Sequence, residues 1–254
     1  MKKKRCSKFF LRNWIKPIVI PSHLKHIIPK YIKYLRDWKK YSHMKYAEEM
    51  SLKNSRPSLF DDHAKTPFDP HYFYQDIWAF KRILELGSDS HIDVGSSVYF
   101  IGFLTGIKKI TFIDIRPLIT NLDNLKSIKG NILSIPFEDN SINSISCLHV
   151  AEHIGLGRYG DKLDPLGTKK AAKELVRVLA KGGNLFFSLP IGKPRLCFNS
   201  HRVHSTEQIL EYFSELELIE LSGVDDSGNF IRNMKKSKLD ACNYGCGFFW
   251  FTKK

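Results

Sequence analysis

The chain has 254 residues, of which 43% are hydrophobic and 26% charged, with a formal net charge of +14. That balance supports a buried core and excludes a disordered or collagen-like chain. No stretch reaches the ~18 uninterrupted apolar residues of a membrane-spanning helix.

The charge is uneven, because residues 1–50 hold 14 Lys and Arg against 3 Asp and Glu, leaving a balance of only +3 for the rest. The start resembles a secretory leader, but Arg12, Asn13, Lys16 and Pro17 interrupt its apolar run, so no signal peptide is expected. The five cysteines (Cys6, Cys147, Cys197, Cys242 and Cys246) are odd in number, and no two have the two-residue gap of zinc or redox motifs. They are expected to be reduced thiols of a cytoplasmic protein. The pair in ACNYGCGFFWF reads as packing in a strand beside a glycine-rich turn, with metal ligation the alternative.

HIIPKYIKYLRDWKKY puts Ile32, Tyr34, Leu35 and Trp38 at helical spacing, which predicts a short basic amphipathic helix. Such a helix either packs on the main domain or rests on an anionic membrane surface or an acidic partner. Residues 51–70 are rich in Ser, Pro, Asp and Asn and read as a surface linker. The expected organisation is therefore an extension and linker over 1–70 and one domain over 71–254. HYFYQDIWAFKRILEL predicts a helix that buries Phe73, Ile77, Phe80, Ile83 and Leu84.

From His91 onward, apolar runs alternate with helical patterns: HIDVGSS, KITFIDIRP, KGNILSIP, SINSISCLHV, NLFFSLP, ELIELSG and GFFWFTK. This predicts an α/β fold with parallel strands and crossover helices. TKKAAKELVRVLAKGG predicts a helix burying Ala171, Leu175, Val178 and Leu179 and closed by Gly182. Ser205 and Gln208 have the spacing of a capping box before Ile209, Leu210, Tyr212 and Phe213.

Asp93-Val94-Gly95 ends the first strand, and the missing side chain of Gly95 lets a ligand approach the backbone. Asp114 follows nineteen residues later at the end of the next strand. A doubly wound fold places a carboxylate there to bind the ribose hydroxyls of an adenosine cofactor.

The ordered blocks FIDIRP, GNILSIPFEDNSINSISCLHVAEHI and KELVRVLAKGGNLFFSLP resemble class I S-adenosylmethionine-dependent methyltransferases over residues 75–254. FDPHYFYQDIW, HVAEHIGLGRYGD and FNSHRVHS resemble, within that group, a methyltransferase-like family associated with bacterial surface-polysaccharide genes. The resemblance implies a Rossmann-like, doubly wound, mostly parallel seven-stranded sheet with S-adenosyl-L-methionine as cofactor. It further implies O-methylation of a sugar or other small acceptor in surface-polysaccharide biosynthesis. On the same ground Asp93, Gly95, Ser96 and Ser97 would line the methionine side of the cofactor. Asp114 would hold the ribose, Asn131 and Ile132 would meet the adenine, and His149 would border the cofactor.

The sequence departs from the usual G-x-G-x-G, with Ser97 and Tyr99 at the second and third glycines, and Asn131 stands where an aspartate is common. An asparagine carbonyl still accepts the adenine amino hydrogen bond. A non-catalytic scaffold that keeps the fold is the alternative these departures leave open.

Methyl transfer is an in-line displacement in which the protein aligns the reactants and excludes water. A sugar hydroxyl also needs a base, and His149, Glu152, His153, His201 and His204 fall at the expected ligand edge of the sheet. Histidine, with an ordinary pKa of ~6.5, suits that role. His153 is expected first and His201 second, with Glu152 orienting one of them, while Arg158, Tyr159 and Arg202 are expected to grip an anionic group on the acceptor. Glu152, His153, Asp161 and Asp164 would suit a hard cation, but their spacing fixes no geometry and no metal is expected. Nucleic acid is not expected either: the basic excess lies outside the domain, and no N/D-P-P-Y/F-like stretch is present.

Overall fold

The computed structural model describes residues 27–254, so the first 26 residues, with Cys6 and the leader-like run, lie outside the described part. The described chain divides between Pro67 and Phe68 into two units. Among the described residues the first carries helix α1 (Ile27–Ser42) and a 3-10 turn at Leu52–Asn54. Lys33 and Asp37 pair one turn apart on α1, while Ile28, Ile32 and Leu35 are exposed. Among the described residues no helix is long and apolar enough to cross a membrane.

The second unit begins with α2 (Pro70–Glu85), and the fold of this unit explains the alternation seen in the sequence. Its strands are β1 (Ser90–Val94), β2 (Lys109–Asp114), β3 (Leu125–Lys129), β4 (Ile142–Leu148), β5 (Leu179–Ile191), β6 (Arg195–Cys197), β7 (His201–Val203), β8 (Leu216–Val224), β9 (Phe230–Ile231) and β10 (Gly245–Lys253). Helices α3 (Val98–Leu104), α4 (Gly167–Val178), α5 (Thr206–Tyr212) and α6 (Lys236–Asp240) are interleaved with them. The main sheet runs β3-β2-β1-β4-β5-β10-β8-β9, parallel from β3 through β5 and antiparallel beyond. This is the class I methyltransferase fold with eight strands rather than the seven expected. The additional strand is β9, whose two residues are too short to leave a periodic signal. The pair β6–β7 forms a separate hairpin.

Both faces of the sheet are covered, as parallel strands require. Phe187, Phe249 and Phe251 join Ala171, Leu175, Ile209 and Leu239 on one face, while Phe186 and Phe248 meet Trp78, Ile83, Ile101 and Leu104 on the other. Adjacent phenylalanines are thus sorted to opposite cores by the two-residue period of the strand.

Two helices depart from the sequence expectation. Helix α2 does not bury Phe73, Ile77 and Leu84, which are exposed. Its inner face carries Gln75, Trp78, Ala79, Arg82 and Ile83. Two polar residues sit on that face because each has a distant partner: Arg82 Nε donates to Glu220 at 2.8 Å, and Gln75 Oε1 accepts from Ser188 Oγ at 2.6 Å. Helix α4 ends at Val178 instead of running to the glycines, and Gly182 takes a φ of +72° inside the β5 segment.

The capping box at α5 forms as its spacing indicates. Gln208 N–H donates to Ser205 Oγ at 3.2 Å and Ser205 N–H donates to Gln208 Oε1 at 3.0 Å. Ser205→Ala is expected to cost about 1 kcal/mol. A lowered denaturation midpoint with an unchanged denaturant slope checks it.

Candidate functional site

A cavity of about 610 Å³ opens at the carboxyl ends of β1, β2 and β4, within the ~300–1,000 Å³ range of small-molecule sites. This is the sheet edge where parallel α/β folds bind ligands. Gly95, Asp114, Asn131, Ile132, His149 and Tyr159 are all among its walls.

Gly95 starts the turn out of β1 with φ +71°, and its N–H donates to Ile113 O at 3.0 Å. A Cβ there would stand 3.1 Å from Val150 Cγ1 and 3.7 Å from Asp114 Oδ2. The glycine therefore keeps open the approach to the carboxylate. Asp114 Oδ1 accepts from Arg116 N–H at 2.6 Å. On the far side, Gly130 lies so close to β2 that a Cβ would be 2.5 Å from Ile113 Cγ2. Asn131 folds its own turn by accepting Leu133 N–H at 2.9 Å on Oδ1.

Of the residues assigned to the methionine side, only Gly95 lines the cavity. Asp93 is fully buried and accepts from Ser96 N–H at 2.9 Å, from Ser96 Oγ at 2.6 Å and from Ser146 Oγ. Ser96 Oγ in turn accepts Leu148 N–H at 3.0 Å. Asp93 and Ser96 therefore brace the turn from behind, tying β1 to β4. Burial raises the Asp93 carboxyl to about 6 against these hydrogen bonds. Ser97 precedes α3 without capping it, and Tyr99 is 78% exposed and not among the cavity walls. The bulk that replaced two glycines does not fill the cleft.

The catalytic candidates are spread over three environments. His153 lines the cavity, and its Nδ1 lies 2.6 Å from Ser200 O, so Nδ1–H donates there and Nε2 keeps its lone pair. Burial lowers its pKa to about 4, leaving a neutral imidazole at pH 7. Glu152 is 0% exposed and is not among the cavity walls. Both its oxygens are buried without a hydrogen-bond partner, with Oε1 3.5 Å from His153 Nε2. Burial pushes its carboxyl up to about 8, so at neutral pH it is protonated.

His149, at φ +56°, places Nδ1 2.8 Å from Gln75 Oε1, which also accepts from Ser188 Oγ at 2.6 Å. His201 is not among the cavity walls and lies with its ring 5.2 Å from that of Tyr244. His204 is buried with Nδ1 unpartnered.

Arg202 corrects another expectation, because its guanidinium donates to Ile154 O at 2.6 Å and Asp164 O at 3.0 Å. It pins the loop after β4 rather than facing a ligand. Tyr159 does line the cavity, with the guanidinium carbons of Arg116 and Arg158 at 4.8 and 5.1 Å from its ring centre. Arg158 also donates to Ser200 O at 3.2 Å. The hard-cation set is not assembled: Asp161 accepts Gly155 N–H at 2.6 Å, and Asp164 accepts Leu166 N–H at 2.9 Å and pairs with Lys170. Sequence reasoning missed Gly130, Arg116, Gln75 and His71; Gly130 adjoins Asn131, and Arg116 lies two residues after Asp114.

No curated protein matches the chain. Among solved structures it resembles the N-methyltransferase NodS from Bradyrhizobium japonicum WM9 in complex with S-adenosyl-L-homocysteine. The TM-score is 0.52 and the identity 16%, over 78% of this chain and 91% of that one. It also resembles a candidate sarcosine dimethylglycine methyltransferase from Galdieria sulphuraria, with a TM-score of 0.53 and 15% identity, over 72% of this chain and 86% of that one. At these identities the likeness establishes the fold. A family model described as Caenorhabditis protein of unknown function, DUF268, matches residues 93–241, more than half of the sequence, and the chain belongs to that family.

Proposed function

We propose that the chain binds S-adenosyl-L-methionine in the cavity beside Gly95 and methylates a hydroxyl of a small, sugar-like acceptor. The observation that carries this reading is the clear space between Gly95 and Asp114, with Tyr99 turned to solvent. The residues present fit the cofactor: a Cβ at Gly95 would narrow its approach, and Asp114 Oδ2 is the carboxylate oxygen not taken by Arg116 N–H.

When bound, the cofactor supplies a methyl group activated on sulfonium sulfur. Asp114 would accept the two ribose hydroxyls, and the Gly130–Ile132 turn would offer its backbone to the adenine. Asn131 contributes its amide while its oxygen holds the turn. His153, held by Ser200 through Nδ1–H, would take the proton of the acceptor hydroxyl on Nε2. Glu152, whose Oε1 lies 3.5 Å from that same Nε2, positions the imidazole. Tyr159, flanked by two arginines, forms a wall against which an anionic sugar would rest. A surface-polysaccharide sugar or its activated precursor is the acceptor class proposed.

The first test needs no acceptor. S-adenosylhomocysteine at a hundred times its dissociation constant is expected to stabilise the native chain by about 2.7 kcal/mol, an upward melting shift of roughly 5–11 °C for a domain this size. No shift at millimolar ligand would remove the cofactor reading and leave only the fold.

A further inference from the structure

His71 at the first turn of α2, His149 just beyond β4 and Cys246 in β10 converge at the ligand edge of the sheet, and the function proposed above uses neither His71 nor Cys246. One donor atom from each lies within 4.8 Å of the others, and among the described residues this is the one group of three His, Cys, Asp or Glu so arranged. Cys246 Sγ stands 3.8 Å from His149 Nδ1 and 4.0 Å from Nε2. Zinc–sulfur and zinc–nitrogen bonds of ~2.3 and ~2.0 Å at tetrahedral angles place the two donors about 3.5 Å apart. A small side-chain adjustment therefore closes the set.

Their surroundings are those of prepared ligands. A metal-bound histidine ordinarily gives its other ring N–H to an oxygen, which fixes the tautomer. His149 Nδ1–H is directed to Gln75 Oε1 at 2.8 Å, with Gln75 fully buried and held by Ser188, so Nε2 presents its lone pair. The His71 ring lies 5.2 Å from the Tyr244 ring. His149 is held at φ +56°, a backbone state uncommon outside glycine and often found where a side chain must be aimed. Cys246 is wholly buried, whereas both histidines remain partly exposed and give an ion a way in.

We infer that His71, His149 and Cys246 bind one zinc-class divalent ion, with a fourth coordination position left for water or a ligand. One thiolate and two imidazoles select zinc over magnesium or calcium. Three protein ligands with an open fourth position are the pattern of reactive rather than purely structural zinc sites. Binding would release the thiol proton of Cys246 and leave both histidines neutral.

Titrating the purified, metal-stripped full chain with Co²⁺, a spectroscopic stand-in for zinc, tests this without cofactor or acceptor. The expected result is one ion per chain with a thiolate-to-cobalt charge-transfer band, displaced by Zn²⁺. Cys246→Ser should abolish the band while Cys242→Ser keeps it, and His71→Ala should weaken binding by about 100-fold or more, at or beyond the top of the range for lost supporting contacts. The partly exposed His71 serves as the arm least prone to unfolding, and circular dichroism confirms the fold of each variant. Absence of a stoichiometric thiolate band in the wild-type chain, or an unchanged affinity in folded His71→Ala, overturns the site. Either outcome is independent of S-adenosylhomocysteine binding.

Discussion

Glu152→Gln is expected to make the chain more stable at pH 8 and to flatten its stability profile between about pH 5 and 8. The carboxyl is completely buried, both oxygens lack a hydrogen-bond partner, and burial raises its pKa from 4.5 to about 8. Below 4.5 it is protonated whether folded or not, and it contributes no pH dependence. Between 4.5 and 8 the unfolded chain has released the proton that the native chain still holds, so native stability falls as pH rises through this window. At pH 8 the full shift amounts to about 5 kcal/mol, an upper bound since one pKa unit is worth 1.36 kcal/mol.

Glutamine keeps the shape and cannot ionise, so it removes that dependence. Urea unfolding of both proteins at pH 5 and pH 8 checks it, because comparison with the variant cancels every other group that titrates. Equal differences at the two pH values would show that the native state does not hold the proton. A stability gain accompanied by loss of turnover would identify Glu152 as a group retained for the site at the expense of the fold.

The succession of strands in the second unit was legible as apolar runs between helical patterns, although the third formed at Leu125–Lys129 rather than in KGNILSIP, and the two-residue period sends neighbours such as Phe186 and Phe187 to different cores. The inner face of α2 was not legible from the same kind of reasoning. Apolar periodicity selected Phe73, Ile77 and Leu84, whereas the buried stripe includes Gln75 and Arg82. Their cost is offset by Ser188 and Glu220, which lie 113 and 138 residues away. A pattern read within one helix cannot see a partner that arrives on a distant strand.

The same limit divides the site. Gly95 and Asp114 could be read from the sequence because a strand–turn–helix unit fixes their spacing. Asp93 and Ser96 were adjacent in sequence and were assigned the same role, yet the twist of the turn sends their side chains behind it. His149 and Cys246 are 97 residues apart and meet only after β4 and β10 enter one sheet on either side of β5. Arg202 was read as a ligand contact for its charge. The carbonyls of Ile154 and Asp164 claim that charge once the loop has folded.

Asp114→Ala is expected to weaken S-adenosylhomocysteine by at least 100-fold. Each hydrogen bond from a ribose hydroxyl to an ionised carboxylate is worth roughly 1.5–3 kcal/mol, and a carboxylate facing a diol makes two of them. The substitution also removes the 2.6 Å acceptor of Arg116 N–H, so a loosened turn would lower affinity too. The two causes separate with an analogue of the ligand that lacks both ribose hydroxyls. The wild-type chain should prefer the natural ligand over this analogue by the same large factor, and Asp114→Ala should bind the two equally. If the variant still discriminates, or if the wild type never did, the diol does not reach Asp114. Any ligand in the cavity would then be held by Gly95 and the Gly130–Ile132 turn without the carboxylate. Asp114→Asn sharpens the comparison, since it keeps acceptor geometry on one atom while losing the charge, and it should fall between the other two.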